Sequence, residues 1–544
     1  MKKRSLALFG LVTVAATFAL TACSNGGSSS SNSDKQVWRR MEGDIISSMD
    51  SSTVTDAIAG QALVDTMDGL YRYQGSKLQP AVAKEIVDPT NDGLTYTFKL
   101  KDTKWSNGDD VTAADFVYAW KRAVDPATKS QYAYLYSGVK NADDIMAGKK
   151  KADTLGVEAK DDHTLVVTMD RPVPYFGTML VNPVFFPLNQ KVVEKFGDKY
   201  GTQSKYLVFN GPFKLTGWNG TNNKWSEVKN KTYWNAKKVK LDEIQVQVIK
   251  SADTALSLFQ AGKIDDVAIS GETASQMKSD PSYVPQKQST LAYLELNEQK
   301  IPALKNQKIR QAISLAINRQ EFVKDVLADG SLPASSLVPD GLAANEKTGK
   351  DFLEETKVGD KYTKFNGKKA GELFKEGLKE VGQTSLTLEL LGDDTDGAKK
   401  SQEYLQSSLE KNLPGLKVNI ASVPFKTRLS RSETQQFDMV ITLWGADFPD
   451  PITFLDLFTS DSSYNDGKWN NAEYDKLIKE SKTTNATDAE ARWQNLLDAS
   501  DVLATDMGVV PLYQRVQAHL VNQKVKNLYY SPANNYNFVG TYLK

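Results

Sequence analysis

Histidine and cysteine are almost missing from this chain. The two histidines, His163 and His519, lie far apart, so a zinc site built on histidine pairs is not expected. The single cysteine, Cys23, excludes an internal disulfide and any cysteine cluster. Net charge is missing too. Lys and Arg number 67 against 67 Asp and Glu, which gives no electrostatic case for nucleic acid. Without the first 22 residues the balance is 64 to 67, because only Lys2, Lys3 and Arg4 are lost. No stretch after the N-terminus approaches the ~18 consecutive apolar residues of a membrane span, so the body is expected to be soluble. No G-x-S-x-G occurs.

What is present suits a large soluble body. A chain of 544 residues is long enough for two or three domains. The 22 Tyr, 21 Phe and 9 Trp fill cores, with enough left over to line a cleft.

The N-terminus reads as an address. In "MKKRSLALFGLVTVAATFALTA" three positive charges precede an apolar run over residues 6–20, a secretory signal over 1–22. Leu20-Thr21-Ala22-Cys23 resembles a bacterial lipobox. In such signals the Cys23 sulfur receives a diacylglyceryl group, and two acyl chains suffice for stable anchoring. "SNGGSSSSNSDKQ" has nothing apolar to bury, so 23–36 is expected to be a flexible tether.

Further along, "LTYTFKLK" alternates as a half-buried strand, and "HTLVVTM" and "EIQVQVI" read as strands. "VTAADFVYAWKRAVDP" (111–126) is a predicted helix, opened by Thr112 with Asp115 and stopped by Asp125-Pro126. "KIRQAISLAINRQEFVKDVL" (308–327) carries apolar residues at helical spacing throughout. From 385 to 444 the pattern is βαβαβ, which predicts a parallel sheet with covering helices. "LWGADFPDP" (443–451) leaves the end of its last strand, where ligands of open α/β sheets tend to sit. Asp447 stands there among aromatics with no basic neighbour in sequence. It could be catalytic, cap a turn, or await a cation brought by a ligand.

Several stretches together carry a resemblance. They are "AVAKEI", "YTFKLKDTKWSNGDDVTAADFVYAWKRAVDP", "NGPFKLTGW", "LNEQKIPALKNQKIRQAISLAINR" and "WGADFPDP". In this order, from about residue 37 to the C-terminus, the chain resembles the extracytoplasmic oligopeptide-binding proteins of ABC importers, the family 5 solute-binding group. The resemblance implies an α/β, two-lobed, periplasmic-binding-protein-like flytrap with an extra subdomain on lobe one. Lobe one would comprise 36–290 and 514–544, with the extra subdomain at 56–181; lobe two would be 291–513. The chain would cross near 291–297 and return near 511–516.

The resemblance also implies a site. A peptide would lie extended between the lobes, its backbone paired with protein strands and its side chains in roomy, wet pockets. Asp447 matches the acid that holds the peptide's α-amino group. Trp444 and Gly445 flank it, Phe425 matches a pocket wall, and Tyr132 matches a tyrosine from the extra subdomain. Thr55 to Ala57 and Ala268, Ile269 and Ser270 match segments that pair with the peptide backbone. Tyr513 and Arg515 lie near the return crossing. The partners implied are oligopeptides and membrane permease subunits. A monomer is expected, lipid-anchored at the outer face of a bacterial membrane, with no cofactor beyond the lipid on Cys23 and no catalytic or metal site.

Departures from the pattern matter. Ala398 and Ile441 stand where members that favour short peptides carry basic side chains, which implies tolerance of longer ligands. Ser51 replaces a frequent proline, so contacts around Thr55 could be displaced. Three other readings compete. Ser275-Gln-Met-Lys278 and Lys347-Thr348-Gly349 fit pieces of a serine acyltransferase but lack the motif between them. Residues 392–403 miss an EF-hand because Gly392 occupies the first ligand position. A sugar receptor of the same transporter class would use the aromatics but would give Asp447 no ammonium to pair with.

Overall fold

The computed structural model describes residues 35–531 and 533–544. The expected signal, Cys23 and nearly all of the tether lie outside those residues. An eleven-stranded mixed sheet runs through the body. Its order is Leu416–Val423, Leu386–Asp393, Met439–Gly445, Tyr283–Leu296, Val509–Val521, Asp266–Ile269, Val37–Glu42, Glu243–Val248, Lys224–Lys229 and Phe213–Thr216, with Leu332–Pro333 paired to Val509–Val521 off that path.

The expected βαβαβ run is present. Leu386–Asp393 pairs in parallel with Leu416–Val423 on one side and Met439–Gly445 on the other. Helices Asp396–Asn412 and Phe425–Glu433 connect them. At the opposite wing Val37–Glu42 lies parallel to both Glu243–Val248 and Asp266–Ile269.

Two long strands join the wings. Tyr283–Leu296 and Val509–Val521 pair antiparallel along most of their length. The near part of the first carries Tyr283 opposite Leu520, and that end of the second pairs with Asp266–Ile269. The far part of the first pairs instead with Met439–Gly445, from Thr290↔Gly445 to Leu296↔Met439. A register shift falls between Lys287 and Leu291, so the twist of the sheet changes where the wings meet.

Outside this sheet, Thr95–Lys99, Thr164–Thr168 and Val157–Asp161 form a separate antiparallel sheet. Helix Ala113–Val124 covers it, burying Phe116, Ala119, Trp120, Ala123 and Val124 along one stripe. Its start follows the sequence: the Thr112 N–H donates to the Asp115 carboxylate at 2.9 Å. The largest core runs from Trp38 through Phe98 and Trp120 and continues without a break into Phe454, Trp469 and Leu496. A second core, with Leu294, Ile309, Leu388 and Val418, lies under the βαβαβ wing. No helix among the described residues is long and apolar enough to cross a membrane.

One expected helix is corrected. Residues 308–327 do not form a single rod. Helix Gln307–Leu315 ends, a short turn Arg319–Glu321 follows, and Phe322–Leu327 winds as a wider π-helix. Polar side chains cause the break. The Ala316 carbonyl accepts from Ser408 Oγ at 2.8 Å and Asn412 Nδ2 at 3.1 Å instead of continuing the helix. Asn318 Oδ1 then accepts from the Glu321 N–H and starts a new turn. Apolar spacing is blind to such exchanges of partner.

Candidate functional site

A cavity of about 570 Å³ opens where the two wings face each other. All twelve residues singled out from the sequence line it. Trp444 and Gly445 end the strand Met439–Gly445, and Asp447 follows two residues on. Phe425 is the first residue of its helix. Thr55 and Ala57 flank Asp56, which caps helix Ala57–Thr66 by accepting from the Ala59 N–H at 2.9 Å. Ala268 and Ile269 end their strand, and Ser270 caps the helix behind it. Tyr513 and Arg515 alternate on Val509–Val521. Tyr132 enters from the 3₁₀ turn Gln131–Tyr136 on the far side. Ala398 and Ile441 are lining residues as well, whereas Ser51 is buried away from the cavity.

The surroundings of Asp447 are specific. Its Oδ1 accepts from Tyr132 Oη at 3.0 Å and from Asn182 Nδ2 at 2.9 Å. Its Oδ2 is buried with no hydrogen-bond partner. No lysine or arginine pairs with it. Burial pushes its carboxyl up to about 7, against the hydrogen bonds from Tyr132 and Asn182, which favour the ionised form. Tyr132, which donates to it, packs with Trp444 and Tyr464 in a cluster of three rings with centroids 4.7 to 6.0 Å apart. An enclosed carboxylate with one unpartnered oxygen can hold an ammonium group.

More acids lie deeper. Glu295 accepts from the Gly467 N–H at 2.7 Å. Burial, then repulsion from Asp466, pushes its carboxyl well up. Burial likewise raises Asp466 to about 7, with Glu433 adding to the rise. Lys468 is the base that acts most strongly on this pair; Arg428 pairs with Asp393 at 3.1 Å and lies 5.0 Å over the Phe425 ring.

Polar contacts tie the walls together. Lys250 Nζ bridges Asp44 at 3.0 Å and Asp394 at 2.6 Å. The Phe425 N–H donates to the same Asp44 oxygen, Oδ2, at 3.2 Å. Tyr175 stacks on Phe448 at 5.0 Å, and the Arg492 guanidinium lies 5.0 Å over Tyr175.

Sequence reading missed Asn182, Tyr464 and the Glu295–Asp466 pair. Asn182 had a signal of a kind: an Asn-Pro step that starts a turn, and its Oδ1 does accept from Val184 N–H at 3.0 Å. Nothing in that signal says that the other end of the amide reaches a carboxylate 265 positions away. The acyltransferase pieces are not at the cavity. Ser275 and Lys278 are exposed, and Lys347 Nζ is ion-paired with Glu490 at 3.0 Å.

Comparison with known proteins adds independent findings. The family model described as bacterial extracellular solute-binding proteins, family 5, middle part, matches residues 77–466. A protein of Lactococcus lactis subsp. cremoris named dipeptide-binding protein is 38% identical over 99% of each chain. The structure of Listeria monocytogenes OppA bound to peptide is 40% identical and superposes with a TM-score of 0.90, covering 94% of this chain and all of that one. A third protein separates two conformations. The Escherichia coli murein tripeptide-binding protein MppA, 29% identical and matched over 94% of this chain and 99% of its own, superposes with a TM-score of 0.83. MppA in its unliganded open form reaches 0.61 over 94% and 98%. The wings here are therefore not arranged as in that open form. A family match over most of the chain, near-complete coverage by a relative and the shared α/β periplasmic-binding-protein-like architecture leave one conclusion: this chain belongs to family 5 of the bacterial extracellular solute-binding proteins.

Proposed function

We propose that this chain is a receptor, not an enzyme, that captures oligopeptides between two lobes and hands them to the permease of an ABC importer. The observation that carries the reading is Asp447: a buried carboxylate with one oxygen unpartnered and, among the described residues, no ion pair, its other oxygen held by Tyr132 and Asn182. The missing partner is the ligand's own α-ammonium. The lobes are 36–290 with 514–544, and 291–513; residues 56–181 supply the subdomain that carries Tyr132, and Asn182 follows directly after it. Closure of the lobes buries the ligand, a hinge motion on the microsecond-to-millisecond scale. The chain acts as a monomer at the extracytoplasmic face of a bacterial membrane, held by a lipid on Cys23.

Calorimetry on protein stripped of carried ligand tests this. A peptide of about five residues binds, its N-acetylated twin binds far more weakly, and an oligosaccharide does not bind. Equal affinity for the free and acetylated peptides would remove Asp447 as anchor. Binding of the sugar alone would replace the peptide reading with the sugar one.

Affinity also depends on pH with a defined sign. Asp447 must be ionised to hold an ammonium, and its carboxyl in the empty cavity is raised to about 7. Affinity therefore falls as pH drops below 7, by about ten-fold per unit at most. The empty protein responds in the opposite sense. Its folded state binds this proton more tightly than the unfolded chain does. The stability contributed at Asp447 thus rises as pH falls from 7 toward the ordinary carboxylate range. Titrations from pH 5 to 8 on the wild type and Asp447→Asn check this: the variant loses the part of the slope that belongs to Asp447.

A further inference from the structure

Charge is balanced over the whole chain, 67 basic against 67 acidic residues, but it is not balanced locally. Residues 229–242 hold five lysines and one acid, Asp242, and residues 522–544 hold three lysines and no acid. Far apart in sequence, the two segments meet at one end of lobe one. Gln36 joins them: its N–H donates to Asp242 Oδ2 at 2.9 Å, and its Oε1 accepts from the Leu543 N–H at 2.7 Å. Lys526 pairs with Tyr542, and the Lys544 N–H donates to Lys524 O at 3.0 Å, so the last residues join the same cluster. Lys237, Lys238, Lys240, Lys524 and Lys544 are exposed, and Lys526 is half-buried. None of the six is ion-paired among the described residues; the Nζ groups of Lys240 and Lys526 donate to backbone carbonyls, at 3.2 and 3.0 Å. Asp242, already bonded to Gln36, and the C-terminal carboxylate each offset one charge, and the pole stays cationic.

This pole lies at the opposite end of its strands from the cavity. Val37–Glu42, Glu243–Val248 and Asp266–Ile269 run parallel from the pole to the cavity, where Glu42, Ile249 and Ile269 are lining residues. One strand length, roughly 20 Å, separates the two. The pole is also where the N-terminal segment meets the body. Twelve residues, 24–35, lie between Cys23 and Gln36. Fully extended, that link reaches at most roughly 45 Å. A lipid on Cys23 therefore keeps the cationic pole close to a bilayer surface. A second exposed run of lysines, Lys149 to Lys151, has no such character: Asp143, Asp144 and Asp153 stand beside it in sequence, and Lys150 Nζ pairs with Asp144 at 2.8 Å.

We propose that this lysine-rich pole of lobe one rests on the anionic phospholipid surface of the membrane that holds the chain, a placement that depends on Cys23 carrying a lipid as in the function proposed above. Lipid and lysines then act at different ranges. The acyl chains keep the protein at the membrane. The lysines are attracted to anionic headgroups only within a Debye length, about 10 Å at 0.1 M salt, so they set how the body stands. With the pole down, the cleft is held one strand length clear of the headgroups and stays open to peptides. A few exposed lysines bind weakly and reversibly, so the body is oriented without being trapped and still turns to meet a permease.

Vesicle sedimentation tests the placement. The mature chain, from residue 23 onward, is prepared as Cys23→Ser, so that neither an acyl chain nor the apolar signal contributes. It binds phosphatidylglycerol vesicles at low salt, is released at high salt, and does not bind phosphatidylcholine vesicles. Lys237→Gln, Lys238→Gln and Lys240→Gln together weaken that binding by about ten-fold or more. Lys149→Gln, Lys150→Gln and Lys151→Gln remove the same charge elsewhere and change it little. Both triple variants melt with the parent chain, which keeps folding out of the result. Equal binding to the two lipids, or an equal loss in the two triple variants, overturns the proposal. So does a DNA duplex that binds the pole as tightly as the phosphatidylglycerol vesicles do, because the pole is then a surface for any polyanion. If the wild-type chain extracted from its own membrane shows no lipid on Cys23 by mass spectrometry, the anchoring reading fails and takes this proposal with it, whatever the vesicles show.

Discussion

Alanine at position 447 lowers the affinity for a free-amine peptide by on the order of 100- to 1,000-fold and leaves the N-acetylated peptide almost unaffected. The size follows from what the substitution removes. In the complex, Asp447 Oδ2 and the ligand ammonium satisfy each other away from water, and removing one partner of such a pair typically costs about 3–5 kcal/mol. Acetylation deletes the other partner, so the two losses do not add. Asp447→Asn does no better than alanine. Its amide oxygen still accepts from Tyr132 and Asn182, but its NH₂ then occupies the place of Oδ2 and presents hydrogens to the ammonium. The fold of the variant is read by its melting curve: alanine leaves Tyr132 Oη and Asn182 Nδ2 without their acceptor but also removes a buried carboxylate that has no cation inside the protein, and these two effects oppose each other. A loss shared equally by free and acetylated peptides would show that Asp447 acts only through packing.

Much of this arrangement was legible before the structure. The βαβαβ wing followed from period-2 and period-3.6 patterns that did not conflict, and it delivered Asp447 to the end of Met439–Gly445. The capping of Ala113–Val124 was readable because both partners lie within four residues of each other. What was not legible is long-range. Asn182 and Tyr132 reach Asp447 from 265 and 315 positions away. The break after Leu315 depends on Ser408 and Asn412, about 90 positions downstream. A local pattern reports which face of an element is apolar; it does not report which distant polar atom will satisfy a carbonyl or a carboxylate. The identity of Asp447 as a candidate came from resemblance, and its unpartnered oxygen only from the fold.

Methionine at position 319 destabilises the protein by about 3–5 kcal/mol, read as a lower midpoint of urea unfolding at unchanged slope. Arg319 is 4% exposed and has no carboxylate partner among the described residues; the backbone carbonyls of Ser314, Ile317, Thr363 and Pro511 take its place. Nε donates to Pro511 O at 2.7 Å, and Nη1 donates to Thr363 O at 2.6 Å and Ser314 O at 3.0 Å. Nη2 adds Ser314 Oγ at 2.8 Å. Burial pulls the guanidinium down to about 9, so it is still charged at neutral pH. Two terms oppose each other in the variant. Losing a buried charge recovers its desolvation cost, while orphaning buried carbonyls costs about 1–3 kcal/mol each. The second wins, because methionine fills the volume but offers no hydrogen, and the surrounding shell is closed to water. Arg319→Lys recovers only part, since three donors on one nitrogen cannot copy a planar fork aimed at three separate segments. The consequence reaches the cavity: Pro511 lies on the strand that carries Tyr513 and Arg515, and Arg319 is what ties that strand to the broken helix and to residue 363. An Arg319→Met variant as stable as the wild type would show that these carbonyls find other partners, and the return strand would then owe its position to sheet pairing alone.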